Sequence, residues 1–486
     1  ILRVDDTDRQ RHVQAALQPI LEGFRWLGLD WDEGPDVGGT HGSYFQSERH
    51  EQYQAAVERL LAEGAAYRDF STSEEIQTER EQAQREQRRF IYSRRWMAET
   101  DEQAELLRSQ GRSSVVRLKM PRDGRCEFDD LVRGSVAVDW AVEQDHVVQR
   151  ADGSYLYHLA STVDDHEFRI SHVIRAVEHL SNTPRQMFIA RALGYDLPQY
   201  AHLPYVAAPG SGEKLSKRKL DTYFKRQEFK QIYDHGAAVM RRLGVSLCPD
   251  TLNPVMVDFY REVGYLPEAL INYLLLLGWS LDDKTETFSR SEMVRHFSLA
   301  RVTKSPASFD PQKLLAFQER RMRALSTAET VTMVLPFLGR AGLVSVPPTA
   351  DESQRIVAVV TAAGDRLKVA GDILNYPEFF EADDRLPYDQ KAFQKRLRAD
   401  GAADRLRGFR TELATAEPFD AQTLDAALHR FVEREEISVG QIIHPLRVAV
   451  TGKAVGFGLF EGLAILGRQA CLKRVDRALA MTETAV

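Results

Sequence analysis

Cysteine is scarce in this 486-residue chain: only Cys126, Cys248 and Cys471 occur, widely separated. A disulfide framework or a structural zinc site needs closely paired thiols, so both are excluded. Isolated thiols read as small hydrophobes in a reducing, cytosolic compartment. Long apolar runs are missing as well. The longest, around 270–279, contains Asn272 and Tyr273 and reaches about half of the ~20 residues a membrane span needs. No signal-peptide pattern of charged, apolar and small-residue zones opens the chain. Positive charge is in no surplus: 64 Lys+Arg stand against 71 Asp+Glu, a net charge of −7. That excludes a histone-like coat for nucleic acid but leaves room for local basic tracks, and residues 80–95 and 214–226 are two. Internal repeats and low-complexity tracts are also absent.

What is present is the composition of an ordinary soluble protein, 43% hydrophobic and 28% charged, at a length that predicts about three or four domains. The β-branched stub at residues 1–4 reads as a strand ending at an acidic turn, Asp5-Asp6-Thr7-Asp8. Asp6 and Asp8 are expected to cap the helix that follows. Helical spacing to Gly28, a Gly/Pro-rich loop at 31–42 and a second helix at 48–64 begin an α/β layer. Residues 72–110 are charged and helical. Short β-like runs at 115–120, 126–131, 134–139 and 146–149 then mark an inserted α+β module. The α/β pattern resumes at 155–165, with a strand at 171–175, a helix at 183–193 and a short strand at 202–206. Beyond Tyr223 almost every segment has helical spacing.

One loop stands out. Residues 209–218 read Pro-Gly-Ser-Gly-Glu-Lys-Leu-Ser-Lys-Arg, a Gly-containing segment with two lysines flanking a serine. Such a loop can close over a polyphosphate and place an ammonium where charge develops. A lysine cluster alone fits a solvated loop equally well. Its company decides: Val173-Ile174-Arg175-Ala176-Val177-Glu178-His179 upstream, Arg3-Val4-Asp5-Asp6-Thr7-Asp8-Arg9 at the start, Trp31-Asp32-Glu33-Gly34-Pro35, Val163-Asp164-Asp165-His166, and His444-Pro445-Leu446-Arg447 near the end. In order and spacing these motifs resemble the bacterial-type glutamyl-tRNA synthetases of class I, nearly end to end.

The resemblance implies a Rossmann-like parallel-sheet catalytic domain interrupted by an α+β acceptor-binding module, followed by an all-α anticodon-binding half. The expected boundaries are 1–59 and 153–206 for the catalytic domain, 60–152 for the insert, and 207–305 for the signature loop with a stem-contact domain. Two helical subdomains follow at 306–395 and 396–486. It implies ligation of glutamate to tRNA(Glu) through a glutamyl adenylate, with ATP and Mg²⁺, by a cytoplasmic, monomeric enzyme with no membrane contact. tRNA(Gln) is a possible second substrate.

Residue by residue, Lys214, Leu215, Ser216, Lys217 and Arg218 match the KMSKS signature. Lys217 and Lys214 would be catalytic, and Lys217, Leu215, Ser216 and Glu178 would bind ATP. Arg175 would clamp the side-chain carboxylate, since a planar fork suits a carboxylate, and would reject glutamine, whose amide meets donors with donors. A structural ion pair is its bland alternative. Tyr157, Asp5 and Ser161 would line the glutamate pocket. Asp5 stands where the family usually has Glu, so either the pocket is rebuilt or binding is weaker; Ser161 stands where relatives carry Asn and could still donate a hydrogen bond, with shorter reach. Arg447 is a candidate anticodon contact, and His444 a structural residue.

The family's HIGH signature, which binds ATP phosphates, is not among these residues and is expected upstream of Ile1. Some relatives hold zinc near 67–72 and 92–96, but no thiol stands there, so no zinc site carries over. The extra stretch 220–257 is expected to form a surface helical hairpin. A glutaminyl-tRNA synthetase-like enzyme and a catalytically impaired tRNA-binding paralogue are the rivals. The first should end in β-barrels, which the helical C-terminal spacing does not match.

Overall fold

A computed structural model describes residues 1–7 and 17–483. The chain forms two compact units: Ile1–Leu215 with Leu274–Phe309, and Ser216–Tyr273 with Asp310–Val486. They are taken in turn.

The first unit runs α1 (Leu17–Trp26), α2 (His50–Ala62), β1 (Ala66–Asp69), α3 (Ser73–Arg85), β2 (Met97–Ala98), α4 (Asp101–Ser109) and β3 (Val115–Leu118). It continues with β4 (Arg125–Asp130), β5 (Gly134–Asp139), β6 (Val147–Gln149), α5 (Tyr157–Glu167), β7 (His172–Ala176), α6 (Thr183–Ala192), β8 (Gln199–Leu203) and β9 (Val206–Ala207). Residues 274–309 later add α11 (Arg290–His296) and β10 (Ala307–Ser308), which pairs parallel to β9. Local chemistry sets the helix starts. Thr72 and Glu75 close a capping box on α3, and Pro184 sits in the first turn of α6, where its missing N–H costs nothing.

Two four-stranded sheets result. β2-β1-β3-β6 is antiparallel throughout, while in β5-β4-β8-β7 the strands β4, β8 and β7 are parallel and β5 runs antiparallel at the edge. The catalytic layer is therefore a mixed sheet. The strands near 126–131 and 134–139, expected in the insert, belong to that sheet: β4 meets β8 at Asp130↔Tyr200 and carries β5 with it. The stub at the start is less than a strand, since Val4 makes a single parallel bridge to Phe45. The core of this unit buries Val57, Leu60, Leu118, Leu159, Ile189 and Leu193. Cys126 is buried with them, its Sγ 3.8 Å from Met187 Sδ.

The second unit is helical among its described residues. It comprises α7 (Leu220–Tyr223), α8 (Gln227–Arg242), α9 (Val257–Val263), α10 (Pro267–Leu275, ending past the unit boundary), α12 (Pro311–Ala324), α13 (Thr327–Arg340) and α14 (Ala350–Ala363). The short α15 (Gln390–Ala392) leads to α16 (Ala402–Thr415), α17 (Ala421–Arg434), α18 (Val439–Thr451), α19 (Leu459–Leu466) and α20 (Arg468–Glu483). Phe409, Phe431, Leu446 and Val475 centre its core. Arg474 is buried there, its guanidinium donating to the carbonyls of Glu378, Val450 and Glu381 and to Asp383. The stretch 220–257 holds the one-turn α7 and a single long helix, α8, with Phe229, Ile232, Val239 and Met240 buried, in place of the expected hairpin. A β-carbon at Gly236 would come within 2.5 Å of the Phe259 ring, so the close approach of α8 to α9 requires glycine.

Candidate active site

Arg175 lies in β7, one of the parallel strands. Its Nη1 donates to Gln186 Oε1 at 2.7 Å, its Nη2 to Thr183 Oγ1 at 2.8 Å and its Nε to His202 Nε2 at 3.1 Å. All three acceptors are neutral, and no described carboxylate pairs with it. His202 is fully buried on β8 with its Nδ1 2.6 Å from Asp130 Oδ2, at the end of β4. Burial pushes the imidazole pKa down, against the pull of Asp130. Among the described residues, the structural ion pair that is the bland reading of Arg175 is absent.

A second cluster gathers around Arg3. Its Nε lies 2.7 Å from Asp5 Oδ1, its Nη1 2.7 Å from Asp165 Oδ1 and its Nη2 3.1 Å from Ser161 Oγ. Burial opposes the charge on Arg3, but Asp5, Asp165 and Asp164 outweigh it and push its pKa up. Tyr157, Ser161 and Asp165 follow one another at i, i+4 and i+8 along α5 and so share a face. Tyr157, the first residue of α5, is half-buried and outside the core. Beside this face Asp164, fully buried, accepts from Arg49 Nε (2.7 Å), Gln46 Nε2 (2.9 Å) and the Tyr53 hydroxyl (2.9 Å). Asp6 accepts from the Ser47 N–H (2.8 Å) and hydroxyl (2.7 Å), and the backbone it was expected to cap lies outside the described residues. Asp8 lies outside the described residues.

The Gly/Pro-rich loop is organised by Glu33, which accepts from His41 Nδ1 (2.8 Å), the Tyr44 hydroxyl (2.7 Å) and the Thr40 N–H (3.3 Å). The hydrogen bonds from His41 and Tyr44 hold its carboxyl at about 2. Gly39, at φ +147°, passes so close that a β-carbon would lie 2.2 Å from the Tyr44 hydroxyl.

The signature loop is a hairpin folding back on β9: Leu215 N–H bonds the Val206 carbonyl (2.8 Å) and Ala208 N–H the Glu213 carbonyl (2.7 Å). Lys214 Nζ lies 2.7 and 2.8 Å from the oxygens of Glu178, whose carboxyl that lysine shifts down. The boundary between the two compact units falls inside the motif. Lys214 and Leu215 belong to the first, whereas Ser216, Lys217 and Arg218 begin the second. There Ser216 N–H donates to the Tyr223 hydroxyl (3.0 Å), and the exposed Lys217 opens a short 3₁₀ turn.

Known proteins resemble this chain along nearly its whole length. The sequence profile of tRNA synthetases class I (E and Q), catalytic domain, covers residues 1–248 and 250–316. That of an anticodon binding domain covers residues 329–479. A glutamate–tRNA ligase of Moorella thermoacetica is 39% identical over 478 residues, spanning 98% of this chain and 90% of that protein. The glutamate–tRNA ligase 2 of Rubrobacter xylanophilus is 37% identical over 480 residues, spanning 99% and 90%. The crystal structure of a glutamate tRNA ligase from Elizabethkingia meningosepticum, in complex with its amino acid, superposes with a TM-score of 0.79 at 28% identity, covering 99% of this chain and 92% of that one. The chain belongs to the glutamyl-tRNA synthetase family.

The segments 67–72 and 92–96, which lack the thiols of a zinc site, are tied by hydrogen bonds. Buried Asp69 accepts from the Tyr92 hydroxyl (2.5 Å), Ser71 Oγ (2.6 Å) and Arg117 Nε (2.5 Å). Among the described residues no group of three or more His, Cys, Asp or Glu side chains is placed to hold a metal ion. No described helix is long and apolar enough to cross a membrane. The basic track at 80–95 is largely engaged within its own unit. Arg94 lies on buried Asp145, Arg89 on the Val142 carbonyl and Arg88 on Glu86, while Arg80 and Arg95 sit over the Phe90 and Trp96 rings. In α18, half-buried Arg447 donates to the Phe457 carbonyl (2.9 Å), and burial lowers the pKa of His444. Sequence reasoning missed Arg3, His202 and Asp130 as parts of the site. Only the motif containing Arg3 carried a signal for any of them.

Proposed function

We propose that this chain activates L-glutamate with ATP and passes the glutamyl group to tRNA(Glu). The observation that carries this reading is Arg175, a half-buried guanidinium held by three neutral acceptors and paired with no carboxylate among the described residues. Such a group is suited to a carboxylate guest and poorly suited to an amide, whose N–H groups would face donors. The substrate α-carboxylate attacks the α-phosphorus of ATP, releasing pyrophosphate. A hydroxyl of the terminal adenosine of tRNA then attacks the mixed anhydride and releases AMP.

In this reading Arg175 takes the side-chain carboxylate, and Tyr157 and Ser161 line the pocket. Asp5 meets the substrate ammonium from beside Arg3, and Glu178 lies by the adenosine. Lys217, with Lys214, Leu215 and Ser216, closes over the phosphates and stabilises charge on the oxygens of the transferring phosphorus. Mg²⁺ enters with the ATP phosphates. The β2-β1-β3-β6 sheet with α3 and α4 holds the acceptor end, and the helical unit reads the anticodon. The enzyme acts as a cytoplasmic monomer and charges tRNA(Gln) only if its anticodon contacts admit it.

The test is ATP–pyrophosphate exchange and aminoacylation by the protein made from its full reading frame. Exchange with glutamate but not glutamine, in the presence of tRNA(Glu), is expected. tRNA binding without any exchange would instead support the catalytically impaired paralogue.

A further inference from the structure

Behind Arg175 stands a buried pair, His202 and Asp130. An arginine Nε only donates, so the His202 Nε2 that receives it at 3.1 Å must present a lone pair. The imidazole is then neutral with its proton on Nδ1, and that proton goes to Asp130 Oδ2 at 2.6 Å. Asp130 is itself fixed: its Oδ1 accepts from the N–H groups of Val132 (3.0 Å) and Arg133 (2.8 Å), and the His202 N–H lies 3.2 and 3.1 Å from Oδ1 and Oδ2. Thr183 completes the arrangement, accepting from Arg175 Nη2 at 2.8 Å with its hydroxyl 3.2 Å from His202 Nε2.

We propose that His202 and Asp130 are positioning residues for recognition of the substrate's side-chain carboxylate. The pair locks the Arg175 fork by way of a neutral ring and leaves its charge unpaired. A carboxylate placed directly on Arg175 would orient it equally well but would compete with the guest. Interposing an imidazole separates orientation from neutralisation. The proposal rests on the reading of Arg175 given above.

Asp130→Asn tests it with almost no change in shape. The N–H groups of Val132 and Arg133, with that of His202 at 3.2 Å, hold the amide oxygen at the Oδ1 position, which turns the amide nitrogen towards His202 Nδ1. The ring must then carry its proton on Nε2, where it meets the Arg175 Nε–H donor to donor. The expected result is a rise of about tenfold in KM for glutamate, the scale of one lost hydrogen bond to a charged group. Discrimination against glutamine should fall, while KM for ATP and the thermal midpoint stay near the parent values. His202→Leu should behave likewise. His202→Gln offers one acceptor and one donor in similar places and should restore most of the glutamate affinity.

Unchanged glutamate KM and unchanged discrimination in Asp130→Asn would overturn the proposal. So would a variant that loses ATP and glutamate affinity together with its thermal midpoint, which marks a merely structural pair. Arg175→Ala separates this outcome from failure of the underlying reading. If that variant keeps its glutamate KM, the assignment of Arg175 is wrong; if it loses it while Asp130→Asn does not, only the positioning role fails.

Discussion

Lys214 closes on Glu178, its ammonium 2.7 and 2.8 Å from the two carboxylate oxygens. Both side chains are exposed, and such pairs contribute only about 0.2–1 kcal/mol because water screens them. The first lysine of the signature thus rests on the residue expected beside the adenosine, in a contact weak enough to be exchanged for a nucleotide. Lys214→Ala should leave the thermal midpoint almost unchanged while raising KM for ATP in pyrophosphate exchange. A large drop in midpoint with normal ATP use would make the pair structural.

Lys217 carries the larger catalytic expectation. Removing one donor to a developing oxyanion costs roughly 10²–10³ in rate. Lys217→Ala should slow glutamyl-adenylate formation by that order in single-turnover experiments and leave folding untouched, since the side chain is exposed. Exchange at the parent rate would remove Lys217 from the mechanism.

The acid limb of stability should report on Glu33. Its carboxyl is lowered from an ordinary 4.5 to about 2 in the folded chain by His41 and Tyr44. A depressed carboxyl stabilises the fold fully above its unfolded value and loses that contribution as pH falls through the folded one. Between about pH 4.5 and 2 the parent should therefore lose stability more steeply than Glu33→Gln. Above about pH 5 the two slopes should agree. Denaturant midpoints across that range measure the difference.

Asp164 should be among the most sensitive positions in the first unit. Asp164→Ala removes the acceptor for buried Arg49 and for Gln46 and Tyr53 together. Breaking a buried pair by deleting one partner costs about 3–5 kcal/mol. Asp164→Asn, which keeps an acceptor, should cost less in a urea titration. Equal loss from both would mean that shape, not charge, is what matters there.

Much of this architecture was legible in the residues, and the failures have a common cause. The periodicity of α5 and the strand character around Arg175 are local properties, so spacing revealed them. The membership of β4 and β5 was not local: β4 touches its neighbour at Asp130↔Tyr200, across an intervening module, and nothing in the run 125–139 announces that partner. Arg3 was passed over for the same reason, since its ligands Ser161 and Asp165 come from a distant helix. The Ser47 contact of Asp6 was equally out of reach of local spacing, since its partner lies some forty residues along the chain.

The glycine at 236 bears on how the protein could be shortened. α8 meets Phe259 and Val263 at that point, Val239 reaches Gly371, and His235 Nε2 lies 2.6 Å from Asp372. Excising residues 220–257 would therefore not trim a loop. It would strip one wall from the helical unit, baring an aromatic ring and taking the imidazole partner from a carboxylate that also organises the N–H groups of Lys368 and Val369. A stretch that looks like an appendage in the sequence serves as a foundation, and any shorter variant would need new residues underneath it as well as a new connection.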